Sequence, residues 1–494
     1  MSMTVTGAAE AGTQYREHTA VPAPVLSRWS TRVAADVVGI ADLAAIVAGA
    51  VITEAYHGWQ GVLAHGGWLA LFEIALLTAG VCRFMLHQLG QYDRKDLTRF
   101  PADPARLLLA VLIAYAMVLV VGHSLGVTES LPAAWFPLWL LISALLLLVA
   151  RRFASARLRH YADQGVFDTS IAIFGAGRVA QELAAYVARK GNGVRLVGIY
   201  DDRRDRLAPE DRKDVIGGLA DLIEAGRQDR IDEIIIALPQ AADQRISAIA
   251  RKLEHLPVRI RICTHLSSDL IDAMLPRHRV SSLGPAGLLD LKSKPLADWA
   301  PLAKRVLDYL LAVPLVILLL PVFAVIAVLI KLDSRGPVLF RQNRHGLNHS
   351  IIEVLKFRTM YVMEVGAEVK QAQRGDSRVT RIGRFLRLTS LDELPQLVNV
   401  VRGDMSLVGP RPHAIVHNEY YGEMLERYAN RHQVKPGITG WAQINGYRGE
   451  TAEPGDMQKR VEFDLHYIDH WSVWLDLRIL LLTPLYGLMH KNAF

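Results

Sequence analysis

SIAIFGAGRVAQELAAYVAR, residues 170–189, is where the periodicity of this chain changes. A short apolar run leads into Gly175-x-Gly177-x-x-Ala180, and an amphipathic helical pattern follows. VRLVGIYDD (194–202) and IDEIIIALP (231–239) then repeat the strand signal. Strands alternating with helices predict a Rossmann-like α/β domain with a parallel sheet over residues 165–280. Gly175, Gly177 and Ala180 open the helix as a nucleotide-type turn, and Asp201 ends the second strand where a ribose-binding acid would sit. A tight strand-to-helix turn demands the same glycines, so ligand binding there stays open. Tyr186-x-x-x-Lys190 has the spacing of a dehydrogenase Tyr/Lys pair, but on the first helix it comes far too early for one and reads as coincidence.

On the N-terminal side the chain is different in kind. Of its 494 residues 51% are hydrophobic, and the mean hydropathy of +0.19 is too high for a purely soluble protein. Four apolar segments, 33–53, 67–89, 105–125 and 131–150, can each cross roughly 30 Å of hydrocarbon, which predicts a four-helix transmembrane bundle over 31–160. Residues 1–30 are polar with no apolar signal core and read as a disordered cytoplasmic tail. Arg16, Arg28 and Arg32, then Arg94, Lys95 and Arg99, then Arg151, Arg152, Arg157 and Arg159 flank the segments, while the other two loops carry no Lys or Arg. This asymmetry puts both ends of the bundle in the cytoplasm. Trp68, Trp135 and Trp139 suit interfacial anchors or packing between helices, and Asp36, Asp42 and Glu73 are expected to face neighbouring helices or snorkel, a polar pathway being the alternative. A net charge of +7 concentrated beside apolar runs fits a membrane face, and no nucleic-acid signature accompanies it. Cys82 and Cys263 lie far apart, so no disulfide and a reducing compartment are expected.

Residues 281–303, with Gly284, Pro285 and Pro295, read as a linker to a region spanning 304–494. There, 309–330 is long enough to cross the membrane, yet Lys304 and Arg305 precede it and Lys331, Arg335, Arg341 and Arg344 follow. Pro321 interrupts it, with Pro314 before. A helix that enters and leaves on one face satisfies every charge, and a kinked span is the alternative. WSVWLDLRILLLTPLYGLMH (471–490), with Asp476, Arg478 and Pro484, reads as an interfacial amphipathic segment.

TSLDELPQLVNVVRGDMSLVGPRP (389–412) concentrates the chemistry. Ser390 and Glu393 have the spacing of a capping box, which would put Asp392 and Glu393 in a first helical turn. Acidic residues there often only cap, and local sequence leaves that reading standing. Arg378, Arg381, Arg384, Arg387, Arg402 and Arg411 crowd around them, however. Guanidinium forks match phosphate oxygens, and carboxylates can hold Mg²⁺ or attack phosphorus.

KFRTM (356–360), the 389–412 run and KPGITGWAQINGYRG (435–449) together resemble the catalytic domain of the bacterial polyprenyl-phosphate sugar-1-phosphate transferases, the monotopic phosphoglycosyl transferases. The layout resembles their large membrane-anchored members. The resemblance implies an α-rich catalytic domain whose re-entrant helix breaks at Pro321. It implies transfer of sugar-1-phosphate from a UDP-sugar, glucose ahead of galactose, to undecaprenyl phosphate, with release of UMP. Asp392 would form a covalent phosphosugar intermediate. Asp392 and Glu393 would be the catalytic and Mg²⁺-binding pair, and Lys356, Arg358, Arg387 and Arg411 phosphate contacts. Gly437, Thr439, Gly440 and Gln443 would shape the nucleotide or acceptor pocket. The same resemblance implies a multi-pass protein of the bacterial inner (plasma) membrane, in contact with the lipid bilayer, with its catalytic domain on the cytoplasmic face, in a layout compatible with a homodimer. Two other readings combine spans with a nucleotide fold. A membrane-tethered NAD-dependent nucleotide-sugar dehydratase or epimerase needs a Tyr/Lys site that is missing at workable spacing. A non-catalytic nucleotide-sensing scaffold is opposed by intact Asp392, Glu393 and Arg411.

Overall fold

A computed structural model describes residues 30–59, 62–93, 97–98, 104–124, 132–190, 193–203, 212–228, 230–239, 243–264, 280–283, 286–361, 376–425, 427–447 and 454–489. All but Ser30 of the expected disordered tail, together with Arg94, Lys95 and Arg99, lies outside the described residues. The chain forms two compact units, Met1–Asp168 and Thr169–Phe494.

The first unit holds helices α1 (Thr31–Tyr56), α2 (Val62–Gln88), α3 (Pro104–Ser124) and α4 (Trp135–Asp163). Each contains a stretch long and apolar enough to cross a membrane, in α2 from Gly67 onward. The chain is a membrane protein. Alanines 45, 50, 75, 79, 110 and 114 line the shared core with Leu71, Leu107 and Leu147, and small side chains let apolar helices approach closely. Leu69, Leu141 and Val149 stay exposed on the outside. Trp135 and Trp139 are fully buried, which excludes them as interfacial anchors; Trp139 Nε1 donates to the Ile46 carbonyl at 3.0 Å. Asp36 and Asp42 find partners inside the unit, whereas Glu73 is exposed. Arg83 donates to Asp36 at 2.8 Å, and Arg151, expected among the flanking surface cations, is instead buried against Asp42 at 2.8 Å.

The second unit opens with β1 (Thr169–Phe174), α5 (Arg178–Lys190), β2 (Val194–Tyr200), β3 (Val215–Gly217), α6 (Leu219–Arg227), β4 (Glu233–Ile236), α7 (Asp243–Leu253) and β5 (Arg259–Thr264). The strands align β3-β2-β1-β4-β5, all parallel. Their side chains alternate between two cores. Ala172, Phe174, Ile234 and Ile236 enter one, while Ile171, Ile173 and Ile235 enter the other with Leu183 and Val187 of α5. The expected linker is not one over its first half. β6 (Val280–Leu283) and β7 (Ala286–Lys292) add antiparallel to β5 and extend the sheet to seven strands, because Leu288 provides one more buried apolar face.

Next comes α8 (Ala300–Asp333), a single 34-residue helix with Pro314 and Pro321 both inside it, so neither proline ends it. Its two halves pack on the same domain. Ala312 joins a core containing Leu397, Val400, Met405 and Tyr428, whereas Ile326 and Ile330 pack with Phe357 and Leu386. Asp308 accepts from Ser406 Oγ and Leu407 N at 3.0 Å near one end, and Asp333 accepts from Ile382 N at 3.1 Å at the other. Between these anchors Leu310, Ile317, Leu318 and Val325 are exposed. The rest is β8 (Leu339–His345) paired antiparallel with β9 (Ile351–Phe357), then α9 (Arg381–Leu388), α10 (Gln396–Arg402), β10 (Ser406–Val408), α11 (Ile415–Met424), β11 (Gly437–Thr439), α12 (Trp441–Ile444), α13 (Pro454–Asp469) and α14 (Val473–Met489). In α14 the sequence suggested a polar face at Asp476. That residue is instead fully buried, accepting from Lys304 at 2.7 Å and Tyr467 at 2.7 Å, which fixes α14 against the start of α8.

Candidate active site

The expected capping box does not form. Ser390 adopts a left-handed conformation at φ 58° and caps nothing with its side chain, and Leu391–Glu393 is a 3-10 turn ahead of α10. A non-glycine residue there is strained by order of 1–3 kcal/mol and persists only where its surroundings fix it. Asn399 supplies part of that fixation. It is fully buried on α10, accepts from Leu355 N at 3.0 Å and donates to the Glu353 carbonyl at 2.7 Å, so β9 is clamped beside the turn. Sequence reading passed over Asn399, although an asparagine inside an apolar helical run signals a buried amide with backbone partners.

The turn separates two adjacent carboxylates. Glu393 is buried; its Oε1 accepts from Lys356 Nζ at 2.7 Å and from Arg411 Nη2 at 2.6 Å, and its Oε2 from Arg411 Nη1 at 3.1 Å. Burial opposes its charge, but Arg411 and Lys356 outweigh that and hold the carboxyl well below the usual range. Asp392 is half-buried, and among the described residues nothing donates a hydrogen bond to its carboxylate. Burial, then the negative charge of Glu393, pushes it up to about 6, against the pull of Lys356, Arg387 and Arg411. Of the two residues expected to hold Mg²⁺, only Asp392 presents an unengaged carboxylate. One such group suits an ion that takes most of its remaining oxygens from phosphates and water.

The predicted phosphate contacts divide. Lys356, Arg387 and Arg411 act on Asp392, with Arg387 fixed by an Nε donation to Thr359 Oγ1 at 2.9 Å. Arg358 is turned toward the end of α8, where Nη2 donates to the Ser334 carbonyl and hydroxyl at 2.8 and 2.9 Å; its buried Nε and Nη1 have no partner among the described residues. Gly437, Thr439, Gly440 and Gln443 lie at a packing seam. A Cβ on Gly437 would stand 2.0 Å from Gly409 N, and one on Gly440 2.3 Å from Gly409 O, so backbone contact demands those glycines. Thr439 pairs with Thr483 at 2.8 Å, and Gln443 donates to the Ile438 carbonyl at 3.3 Å.

Behind Arg411 stands a second cationic layer that the motif reading missed. Arg431, nearly fully buried, donates to the Arg411 carbonyl at 2.8 Å and to Asp464 at 2.7 Å. Arg344 donates to the Pro412 carbonyl at 3.1 Å, and burial together with Arg411 lowers it to about 10; burial and Arg431 lower Arg460 likewise to about 10. Lys356, Arg344, Arg387, Arg411, Arg431 and Arg460 therefore outnumber Asp392, Glu393 and Asp464, and such a partly buried excess favours a multiply charged anion.

The glycine turn behaves otherwise. Gly175 sits at φ 113°, and a Cβ there would meet the Ala237 carbonyl at 2.6 Å, so glycine is obligatory. Gly177 has open space at its Cβ position, and Ala180 is fully buried. Asp201, expected for a ribose, is saturated: Ala176 N at 3.1 Å, Arg203 N at 2.8 Å and the Arg203 and Arg245 guanidinium groups all donate to it, and its side chain is wholly inaccessible.

A family described as bacterial sugar transferase matches residues 299–490, and one described as CoA-binding domain matches residues 87–264. A Xanthomonas campestris pv. campestris protein named UDP-glucose:undecaprenyl-phosphate glucose-1-phosphate transferase is 36% identical over 393 residues, 78% of this chain and 79% of that protein. The chain belongs to this family of bacterial sugar transferases. A Komagataeibacter xylinus undecaprenyl-phosphate glucose phosphotransferase is 36% identical across 86% of this chain and 79% of its own length. The Escherichia coli K12 protein named as the Xanthomonas one is 43% identical, over 61% of this chain and 64% of its own. In this sugar transferase, the carboxylate pair and the cations around it fall wholly within the matched residues 299–490, and the glycine turn with Asp201 falls within 87–264.

Proposed function

We propose that this transferase moves glucose-1-phosphate from UDP-glucose to undecaprenyl phosphate at the cytoplasmic face of the bacterial inner membrane. The observation that carries the reading is one unheld carboxylate, Asp392, facing a cationic wall in which its neighbour Glu393 is locked. A carboxylate oxygen of Asp392 attacks the sugar-proximal phosphorus. The bond from that phosphorus to the bridging oxygen breaks, and UMP leaves with the electron pair. An oxygen of the lipid phosphate then attacks the same phosphorus and the aspartyl–phosphorus bond breaks, restoring the carboxylate and forming a lipid-linked diphospho-sugar. Lys356, Arg387 and Arg411 orient the diphosphate and offset its growing charge. Glu393 acts by holding Lys356 and Arg411 in place. Mg²⁺, held by Asp392 together with the diphosphate, would supply charge neutralisation on the phosphate oxygens. The glucose reading is supported by the names of the relatives.

A re-entrant path for α8 is supported by its anchors. Asp308 and Asp333 lie at opposite ends and bond the same domain, so a helix that carried the chain across the bilayer would have to break one of them. The exposed apolar middle then dips into lipid beside the site, where a polyprenyl phosphate would present its headgroup. The four helices of the first unit serve as a transmembrane bundle. The α/β domain, whose strand order is that of a Rossmann-like sheet, positions the catalytic domain without a dinucleotide, since Asp201 is already saturated.

The deciding experiment incubates purified enzyme with a panel of UDP-sugars and undecaprenyl phosphate and reads UMP. UDP-glucose should turn over best. Without lipid acceptor, label on the sugar should remain on the protein in a hydroxylamine-sensitive bond. UMP release only when lipid is present, with no labelled protein, would replace the covalent path by direct attack of the lipid phosphate.

A further inference from the structure

Away from the carboxylates, three histidines converge. His345 ends β8, His349 closes the Leu347–His349 3-10 turn, and His432 lies in a second 3-10 stretch, Tyr428–Gln433. One ring nitrogen from each lies within 4.8 Å of the others. The ring centroids of His349 and His432 are 4.4 Å apart, and His345 is 5.7 Å from each. His255, on the α/β domain just after α7, approaches His349 at 6.1 Å. We propose that His345, His349 and His432 form a site for a divalent transition-metal ion of the zinc class, with His255 able to close it as fourth ligand.

The protonation pattern fits. His432 is buried, its ring bonds the Gly346 carbonyl, and Nε2 is buried with no partner among the described residues, which leaves that nitrogen open to a ligand. His255 repeats this with the Lys252 carbonyl and an unpartnered Nε2, and His349 Nε2 is likewise buried without a partner. A ring N–H given to a carbonyl while the other nitrogen stays open is the arrangement that orients a metal-bound imidazole. His345 Nδ1 lies 3.1 Å from the Asn418 amide, and ligation by its Nε2 requires that amide to present its oxygen. With the amide so turned, Asn418 donates to Tyr428 Oη and Tyr428 to His413 Nδ1, an acceptor it then shares with Arg431 Nη1.

The backbone is also shaped for the cluster. Asn348 and His349 both sit in the left-handed region, at φ 53° and 58°, and strain at a non-glycine pair marks a position fixed for use. An all-imidazole donor set suits zinc, copper or nickel over magnesium or calcium. The opposing charges are Arg227, which is solvent-exposed and therefore screened, Lys292 beside His255, and buried Arg431 beside His432, whose charge Asp464 offsets. Closing the nitrogens onto an ion at about 2.0–2.1 Å needs only side-chain movement from their present spacing. With His255 included, the ion would staple the α/β domain to the catalytic domain beside the existing Gln433–Glu254 and Arg427–Glu254 contacts.

The test uses full-length protein without a polyhistidine tag, loaded with zinc, passed over a chelating resin and assayed by elemental analysis. About one zinc per chain is expected. His349→Asn is the informative variant because asparagine tolerates the left-handed backbone while removing the ligand; with His432→Ala it should lose the zinc. Cobalt-loaded wild type should show the visible absorption of tetrahedral nitrogen ligation, absent in both variants. Zinc should raise the melting temperature of the wild type and leave that of folded His349→Asn unchanged. Equal zinc in wild type and His349→Asn, or none retained by the wild type, would overturn the site.

Discussion

Asp201 follows β2 and Asp392 sits in the 3-10 turn before α10, each beside arginines, and their carboxylates have opposite fates. Asp201 is filled by two backbone N–H groups and two guanidinium groups. Asp392 holds no hydrogen bond among the described residues although three cations act on it. The difference teaches how to tell a structural acid from a chemical one. A carboxylate whose oxygens are all spoken for by the fold is kept well ionised and has nothing left to offer, as the lowered carboxyl of Asp201 shows, where hydrogen bonds from Arg203 and Ala176 overcome burial. One that is crowded but unheld is costly to keep charged, and the fold tolerates it only where a substrate completes it.

The largest expected effect comes from removing that unheld charge. Asp392→Asn should lower UMP release by roughly 10³-fold or more, because an amide cannot form the acyl phosphate. Its thermal stability should not fall, since the substitution relieves a carboxylate that burial and Glu393 disfavour. Measured turnover within tenfold of wild type would place Asp392 on the same footing as Asp201. Next in size is Glu393→Gln, which leaves Lys356 and Arg411 without their shared counter-charge. Truncating one partner of a buried ion pair costs about 3–5 kcal/mol, so here both melting temperature and turnover should drop. A melting temperature equal to wild type would show that the clamp on Lys356 and Arg411 is not what holds the turn.

The same contrast has a pH signature. On the proposed mechanism Asp392 must be ionised to attack, so kcat/KM should fall about tenfold per unit as pH drops below 6. Its raised carboxyl contributes stability that is present at low pH and lost as pH rises through about 6, opposite in sign to Glu393, whose lowered carboxyl contributes stability that is lost on acidification. A pH profile of kcat/KM flat between 5 and 7 would contradict the assignment.

How much of this was legible beforehand depended on range. The strand-turn-helix at 169–190 and the apolar helices follow from local period, and the structure contains all of them. Glu393, Lys356 and Arg411 were found by motif and do converge. What sequence could not supply was partnership at a distance. Arg151 reads as a surface cation until Asp42, far away in the chain, is brought beside it, and Asp476 reads as a polar face until Lys304 reaches it. Arg431, Arg460 and Asp464 carry no local motif and acquire meaning only when α13 packs behind Arg411. The histidine cluster is the extreme case, since His255 and His432 share no element.

The smallest effect on chemistry should come from Asp201→Asn, and its smallness is the point. The amide can accept from Arg203 N but offers one oxygen where the carboxylate offers two, so Ala176 N–H or a guanidinium loses its acceptor and Arg245 loses its counter-charge. Hydrogen bonds to a charged group are each worth about 1.5–3 kcal/mol, so the α/β domain should lose about 2 kcal/mol, read as a lower melting temperature or denaturant midpoint. Per folded molecule, kcat and KM for UDP-glucose should match wild type, because nothing at Asp392 changes. If Asp201→Asn instead raised KM for the nucleotide sugar while leaving stability untouched, the saturated carboxylate would be opening to a ligand, and the glycine turn would belong to the active machinery after all.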